Sequence, residues 1–157
     1  MNQHQLSSLQ LKRYFVTKLN FLVNESFDAG KDIVQKQGDF GVTSELCFPA
    51  NDKEPFRIKL NVRLQPSAES SVPYSLALEI IGYFEQKFEG TKEEIVRCSY
   101  IQGSGTLYEV AREIVRATTS QSPFPPMGMP SISFDMPKFE LPKQTVPAGK
   151  TANAARL

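Results

Sequence analysis

The side chains of this chain that could carry chemistry are few and poorly spaced for it. The one histidine, His4, stands in a polar N-terminal stretch, where an imidazole is more often a solvated terminal side chain than a general base or metal ligand. No second histidine exists to activate a Cys or Ser nucleophile. Cys47 and Cys98 lie far apart and neither belongs to a CxxC pair, so each reads as a small apolar filler rather than a zinc ligand. Gly103-Ser104-Gly105 has the look of a phosphate-cradling turn, but GxxxxGK[ST] is missing and a helix break is the plainer reading. Glu93-Glu94 and the pair Glu109 and Glu113 read as exposed helical charges. No catalytic residue, cofactor or metal site is expected, and an enzyme is the remotest function class.

What remains is a supply of apolar side chains and the elements that must position them. Residues 56–64 alternate strictly, with Phe56, Ile58, Leu60, Val62 and Leu64 on one face and Arg57, Lys59, Asn61 and Arg63 on the other, the period of a half-buried antiparallel strand. Residues 40–48 repeat it with Phe40, Val42, Leu46 and Phe48, and residues 74–80 with Tyr74, Leu76, Leu78 and Ile80. The turn-rich stretches between them suit a three-stranded meander. A register slip is predicted at Ile81-Gly82, putting Tyr83, Phe84 and Phe88 in a new phase. Residues 9–23 read as a first, longer strand, with a bend or bulge near Tyr14. Residues 92–101 read as a short helix or turn leading into a longer one.

That longer helix is predicted from Thr106, whose spacing to Glu109 suits a capping box. Leu107, Val110, Ala111, Ile114 and Val115 form its apolar stripe. Pro123, Pro125 and Pro126 then forbid continuation, leaving an extended strip that carries Phe124, Met127, Met129, Ile132 and Phe134. Strands followed by helix predict an α+β fold: a four-stranded antiparallel sheet with a long helix packed on one face. A thin core of that kind, with a long apolar first strand at an edge, also predicts oligomerisation through strand and helix.

Composition bounds the rest. At 157 residues one domain is expected, placed here at 1–135, with a Pro-containing extended or disordered tail over 136–157. Lys plus Arg total 18 against 17 Asp plus Glu, a balance that gives no global reason to expect nucleic acid or an anionic membrane. Arg57, Lys59 and Arg63 form a local basic stripe, most simply read as the wet side of a strand. No leader-like start and no apolar run of ~20 residues is present, so a soluble cytoplasmic protein without disulfides is expected. Eleven Phe and no Trp leave many aromatics outside the clean strand pattern, and deformable Met and Phe on a proline-broken strip suit a surface that accepts varied sequences.

In their order and spacing these motifs resemble SecB and the SecB-like chaperones. The resemblance runs through Leu9-Gln-Leu-Lys-Arg13 and Leu19-Asn-Phe21, Leu78-Glu-Ile-Ile-Gly-Tyr-Phe84 and Ala111-Arg-Glu113. It is sharpest at Phe124-Pro125 with Met127, Met129, Ile132 and Phe134-Asp135, and covers roughly residues 6 to 135. It implies a homotetramer, a dimer of dimers with helices between two sheets, acting as an ATP-independent holdase for unfolded polypeptides, as in protein export. On that analogy Leu107, Val110, Ala111 and Ile114 would serve the oligomer interface. Phe40, Val42, Phe48, Tyr83, Phe84, Phe124, Met127, Met129, Ile132 and Phe134 would line a client-binding groove. Two features depart from the pattern. Family members are acidic and offer a negative sheet face to the motor SecA, whereas Arg57, Lys59 and Arg63 count against SecA as a partner here. The prolines of residues 136–157 replace the closing helix. The runner-up is a SecB-like chaperone dedicated to an antitoxin in a toxin–antitoxin–chaperone system; a further alternative is a non-chaperone module binding protein or nucleic acid.

Overall fold

A computed structural model describes residues 8–50 and 54–136; His4 and residues 137–157 of the expected tail lie outside them. Four strands and a helix follow in order, β1 (Leu9–Val23), β2 (Phe40–Cys47), β3 (Phe56–Leu64), β4 (Tyr74–Gln86) and α1 (Lys92–Thr119). The single antiparallel sheet has the order β1-β4-β3-β2. β2, β3 and β4 form the meander, and β1 pairs with the free side of β4. The α+β architecture is the one the alternation of residues predicts.

Period two decides the core. In β3 and β4 the apolar set shares one face, with Leu60 opposite Ile80 and Val62 opposite Leu78, and all four are buried. Each such side chain withdrawn from water contributes roughly 1.5–3 kcal/mol before ordering costs are counted. The register slip expected at Ile81-Gly82 does not occur: β4 keeps one phase from Tyr74 to Phe84. Gly82 instead marks a close approach, since a Cβ there would stand 2.9 Å from Leu107 Cδ1 and 3.0 Å from Phe84 Cε2. The irregularity lies in β1, where register shifts between Leu11 and Arg13 and again between Val16 and Lys18 flank Tyr14. These bulges explain why the first strand's alternation breaks at Arg13 and Thr17.

The helix also differs from expectation. It starts at Lys92, where the hydroxyl of Thr91 accepts the Glu94 N–H at 3.3 Å and the Glu94 carboxylate accepts the Thr91 N–H at 2.8 Å. Thr106 lies within the helix, its hydroxyl donating to the Gln102 carbonyl at 2.9 Å, and Glu109 pairs with Arg112 instead of reaching back. The predicted break at Ser104-Gly105 is continuous helix. Its small residues serve proximity: a Cβ on Gly103 would fall 2.4 Å from Ile58 Cδ1, and Ser104 Oγ is 2.6 Å from Ser44 Oγ on β2.

Candidate functional site

The segment after α1 is built by proline and by borrowed hydrogen bonds. Its extended backbone cannot satisfy itself, so neighbours do. The Met127 N–H donates to Thr119 Oγ1 at 2.9 Å, and the Tyr74 hydroxyl donates to the Pro125 carbonyl at 2.7 Å. Nearer the middle of α1, the Tyr108 hydroxyl donates to the Pro130 carbonyl. Burial holds the Tyr108 phenol above its usual pKa, so it remains a donor at neutral pH. The strip thus doubles back along the helix. Phe124 sits edge-on to Phe27 at 5.2 Å and Phe134 edge-on to Tyr108 at 5.9 Å.

These contacts sort the expected groove residues into three environments. Phe84 and Met129 are 0% and 4% exposed and fill the subunit's own core, Phe84 stacked on Phe56; neither lines a surface of the single chain. Phe40, Val42, Phe124, Met127, Ile132 and Phe134 are half-buried against that core, with Phe48 exposed beside Phe56. Tyr83 stands on the opposite sheet face, because adjacent β4 residues alternate, and it contacts Arg13 and Phe15. The strip and Tyr83 are therefore not brought together.

The helix stripe divides in the same way. Leu107 and Ala111 are fully buried against the sheet, four residues apart on one side of α1. They belong to the fold of the lone subunit. Val110 and Ile114 are half-buried at the margin of that core and, with Tyr14, Thr106, Glu109, Glu113 and Ala117, line a shallow, mostly apolar depression of about 670 Å³. The sequence pattern placed all four on one stripe because a helix contacts its sheet through a narrower arc than its apolar face spans.

Several exposed apolar residues were not among the expected site. Tyr14, Phe15, Val16, Leu19 and Leu22 of β1 are all exposed. By register Tyr14, Val16 and Leu19 lie on the helix side, opposite Gly82, Ile80 and Leu78. The length and apolarity of the first strand were the available signal. Ile33 and Val34 are also exposed, in a loop joined to the chain by the bridge of Val34 with Ser71, and no periodicity announces them. Cys47 is an exposed free thiol and Cys98 a half-buried one, so "filler" does not describe Cys47. Among the described residues no group of three or more His, Cys, Asp or Glu could hold a metal, and no helix is long and apolar enough to cross a membrane.

Compared with known proteins, the chain finds a counterpart in architecture. It is similar to the solved structure of a Mycobacterium tuberculosis SecB-like chaperone in complex with a ChAD peptide from an antitoxin, with TM-score 0.57 and 18% identity over 82% of this chain and 94% of that one. A looser likeness, TM-score 0.43 at 11% identity, joins 78% of this chain to 97% of a Streptococcus agalactiae protein of unknown function. No protein-family model matches the chain, and no curated protein matches it significantly. The SecB-like fold is thereby shown.

Proposed function

We propose that the protein is an ATP-independent, non-catalytic chaperone that holds unfolded or extended polypeptide as a cytoplasmic homotetramer. The observation that carries this reading is the apolar surface left over on a SecB-like fold. Exposed Tyr14 lines one depression with Val110 and Ile114, exposed Val16 and Leu19 share its sheet face, and half-buried Phe124, Met127, Ile132 and Phe134 follow on the strip. Exposed, or covered only in part by the subunit's own core, these side chains have two uses left, self-association and client capture. We assign the helix-side residues of β1, Tyr14, Val16 and Leu19, with the adjoining side of α1 to the oligomer, and the strip with Phe40, Val42 and Phe48 to extended clients. Extended chains suit such a surface because backbone bonds and alternate side-chain pockets make small demands on sequence. Residues 1–135 would form the chaperone domain and 136–157 an appended tail.

A dedicated role is the second reading, favoured by the basic stripe Arg57, Lys59 and Arg63 and by the antitoxin peptide bound in the Mycobacterium structure. It exchanges the broad clientele of export, with SecA, for one small partner. Light scattering of an unrelated denatured protein, diluted without nucleotide, tests the holdase. The wild-type chain is expected to suppress aggregation near one chain per client. Replacing Met127, Ile132 and Phe134 with Ser is expected to remove most of that suppression while circular dichroism stays unchanged. No suppression by the wild type, for any of several clients, would overturn the general holdase. Retained suppression by the triple variant would move the client site elsewhere.

A further inference from the structure

The sheet face turned away from α1 carries charge in cross-strand rows, because directly opposed residues of antiparallel strands share a face. One row is Arg13 on β1, Tyr83 on β4, Arg57 on β3 and Cys47 on β2. The Arg13 guanidinium lies over the Tyr83 ring, Cζ 4.7 Å from the centroid. Arg57, from the other side, lies within reach of Tyr83 and Cys47. Lys59 and Lys12 of this face are neutralised by Glu79 and Glu85, both at 3.1 Å, while Lys18 and Arg63 stand two or more rows away, beside no aromatic ring partner of the row. Among the described residues neither Arg13 nor Arg57 has a carboxylate within ion-pair distance. Two exposed guanidinium groups thus flank one tyrosine with nothing to balance them, and the next row places Phe15 beside Ile81.

We infer that this row docks an acidic segment of a partner protein, carboxylates on Arg13 and Arg57 and an apolar side chain on Phe15 and Ile81. Guanidinium binds carboxylate bidentately, and stacking on an aromatic ring holds it ready to do so. Polyanions fit less well. The neighbouring rows hold the ion pairs Lys59–Glu79 and Lys12–Glu85 and the carboxylate of Glu45, so a phosphate backbone running along the strands would leave the free guanidinium groups after a single row. A segment with discrete acids separated by apolar residues avoids that mismatch. Arg13 and Phe15 share β1 with Tyr14, Val16 and Leu19 but point to the other sheet face, so the inference uses none of the side chains assigned above to clients or to self-association.

The test uses the full chain and three fluorescein-labelled probes: a short peptide alternating Glu and Leu, its Gln-for-Glu counterpart, and a short single-stranded DNA. Anisotropy is expected to give the Glu peptide a Kd about tenfold or more below that of the Gln peptide, a gap that closes in the Arg13→Glu, Arg57→Glu double variant. Aggregation suppression by that variant is expected to stay at the wild-type level. If the chaperone reading fails, the Gln peptide goes unbound while the Glu peptide still binds; if this one fails, the two peptides bind alike. DNA binding tighter than the Glu peptide, or a gap that survives in the double variant, would also overturn it. Should the Glu substitutions disturb folding, Arg13→Gln with Arg57→Gln gives the same reading.

Discussion

β2 and β1 are both edge strands, and they handle the exposed edge in opposite ways. β2 has 8 residues and alternates polar Thr43 and Glu45 with half-buried Val42 and Leu46. Its flanks are tied down by Asp39 and by the contact of Ser44 with Ser104. β1 has 15 residues, two bulges and exposed Tyr14, Phe15, Val16, Leu19 and Leu22. Natural sheets blunt an edge by shortening it, charging it or covering it. β2 is short and carries one charge, Glu45, whereas β1 keeps length and apolarity beside its three cations, Lys12, Arg13 and Lys18. An edge so equipped is suited to being covered by another chain, and that contrast underlies the assignment of β1, through Tyr14, Val16 and Leu19, to self-association.

The contrast breaks first, and by the largest effect, on substitution of equal chemistry at both edges. Val16→Lys together with Leu19→Lys is expected to reduce the proposed assembly to single chains of 17.6 kDa by size exclusion with light scattering. The fold should survive, since neither residue is buried. Val42→Lys on β2 should do the reverse, leaving the mass of the assembly alone and lowering folding stability by roughly 1.5–3 kcal/mol in urea, because Val42 packs against the core. Loss of folding at β1, or loss of assembly at β2, would remove the distinction.

Much of this was legible before any coordinates. The alternation in β3 specifies which side of the sheet is core, and the prolines after Thr119 specify that the chain leaves the helix extended. The bulges were only half legible. Arg13 and Thr17 interrupt the apolar phase of β1 and mark its irregularity near Tyr14, whereas Gly82 on β4 suggested a second slip that is absent because the glycine serves close packing. The helix start was misplaced because Thr106 and Glu109 have capping-box spacing, while a cap also needs a non-helical backbone that residue types do not reveal; Thr91 has it, at φ −68° and ψ 158°. The groove was least legible. Burial of Phe84 and Met129 depends on how helix and strip lie over the sheet, a three-dimensional property that one-dimensional hydrophobicity does not contain.

A middle-sized effect sharpens the account of the β2 edge. The Asp39 carboxylate accepts the Ser70 hydroxyl and the N–H groups of Lys36, at 2.9 Å, and Ser67, at 3.1 Å. The Ser70 bond, then those two, hold its pKa below the ordinary carboxylate value. A carboxyl whose folded pKa is depressed adds stability above its unfolded pKa of ~3.9, and loses it as pH falls through the folded value. Asp39→Asn is therefore expected to lower the urea midpoint at pH 7, with the difference from wild type shrinking below about pH 4. A difference that stayed constant down to pH 2 would show that the carboxylate's charge is not what ties this edge.

The smallest effect concerns the helix that crosses between the two edges. If α1 reaches Ser44 on β2 because its first turns are anchored at Thr91, then Thr91→Ala loses the hydroxyl that receives the Glu94 N–H and should cost about 1 kcal/mol. Thr106→Ala, at the position that mimics a cap by spacing, removes only a bond to the Gln102 carbonyl within the helix. It replaces Thr by a better helix former and should be neutral or stabilising by a few tenths of a kcal/mol. Hydrogen exchange separates the two. Thr91→Ala is expected to accelerate exchange over the first half of α1 only, since Leu107, Ala111 and Val115 clamp the second half to the sheet. Faster exchange beginning at Thr106 in the second variant would instead mean that the helix is two units joined at the glycines.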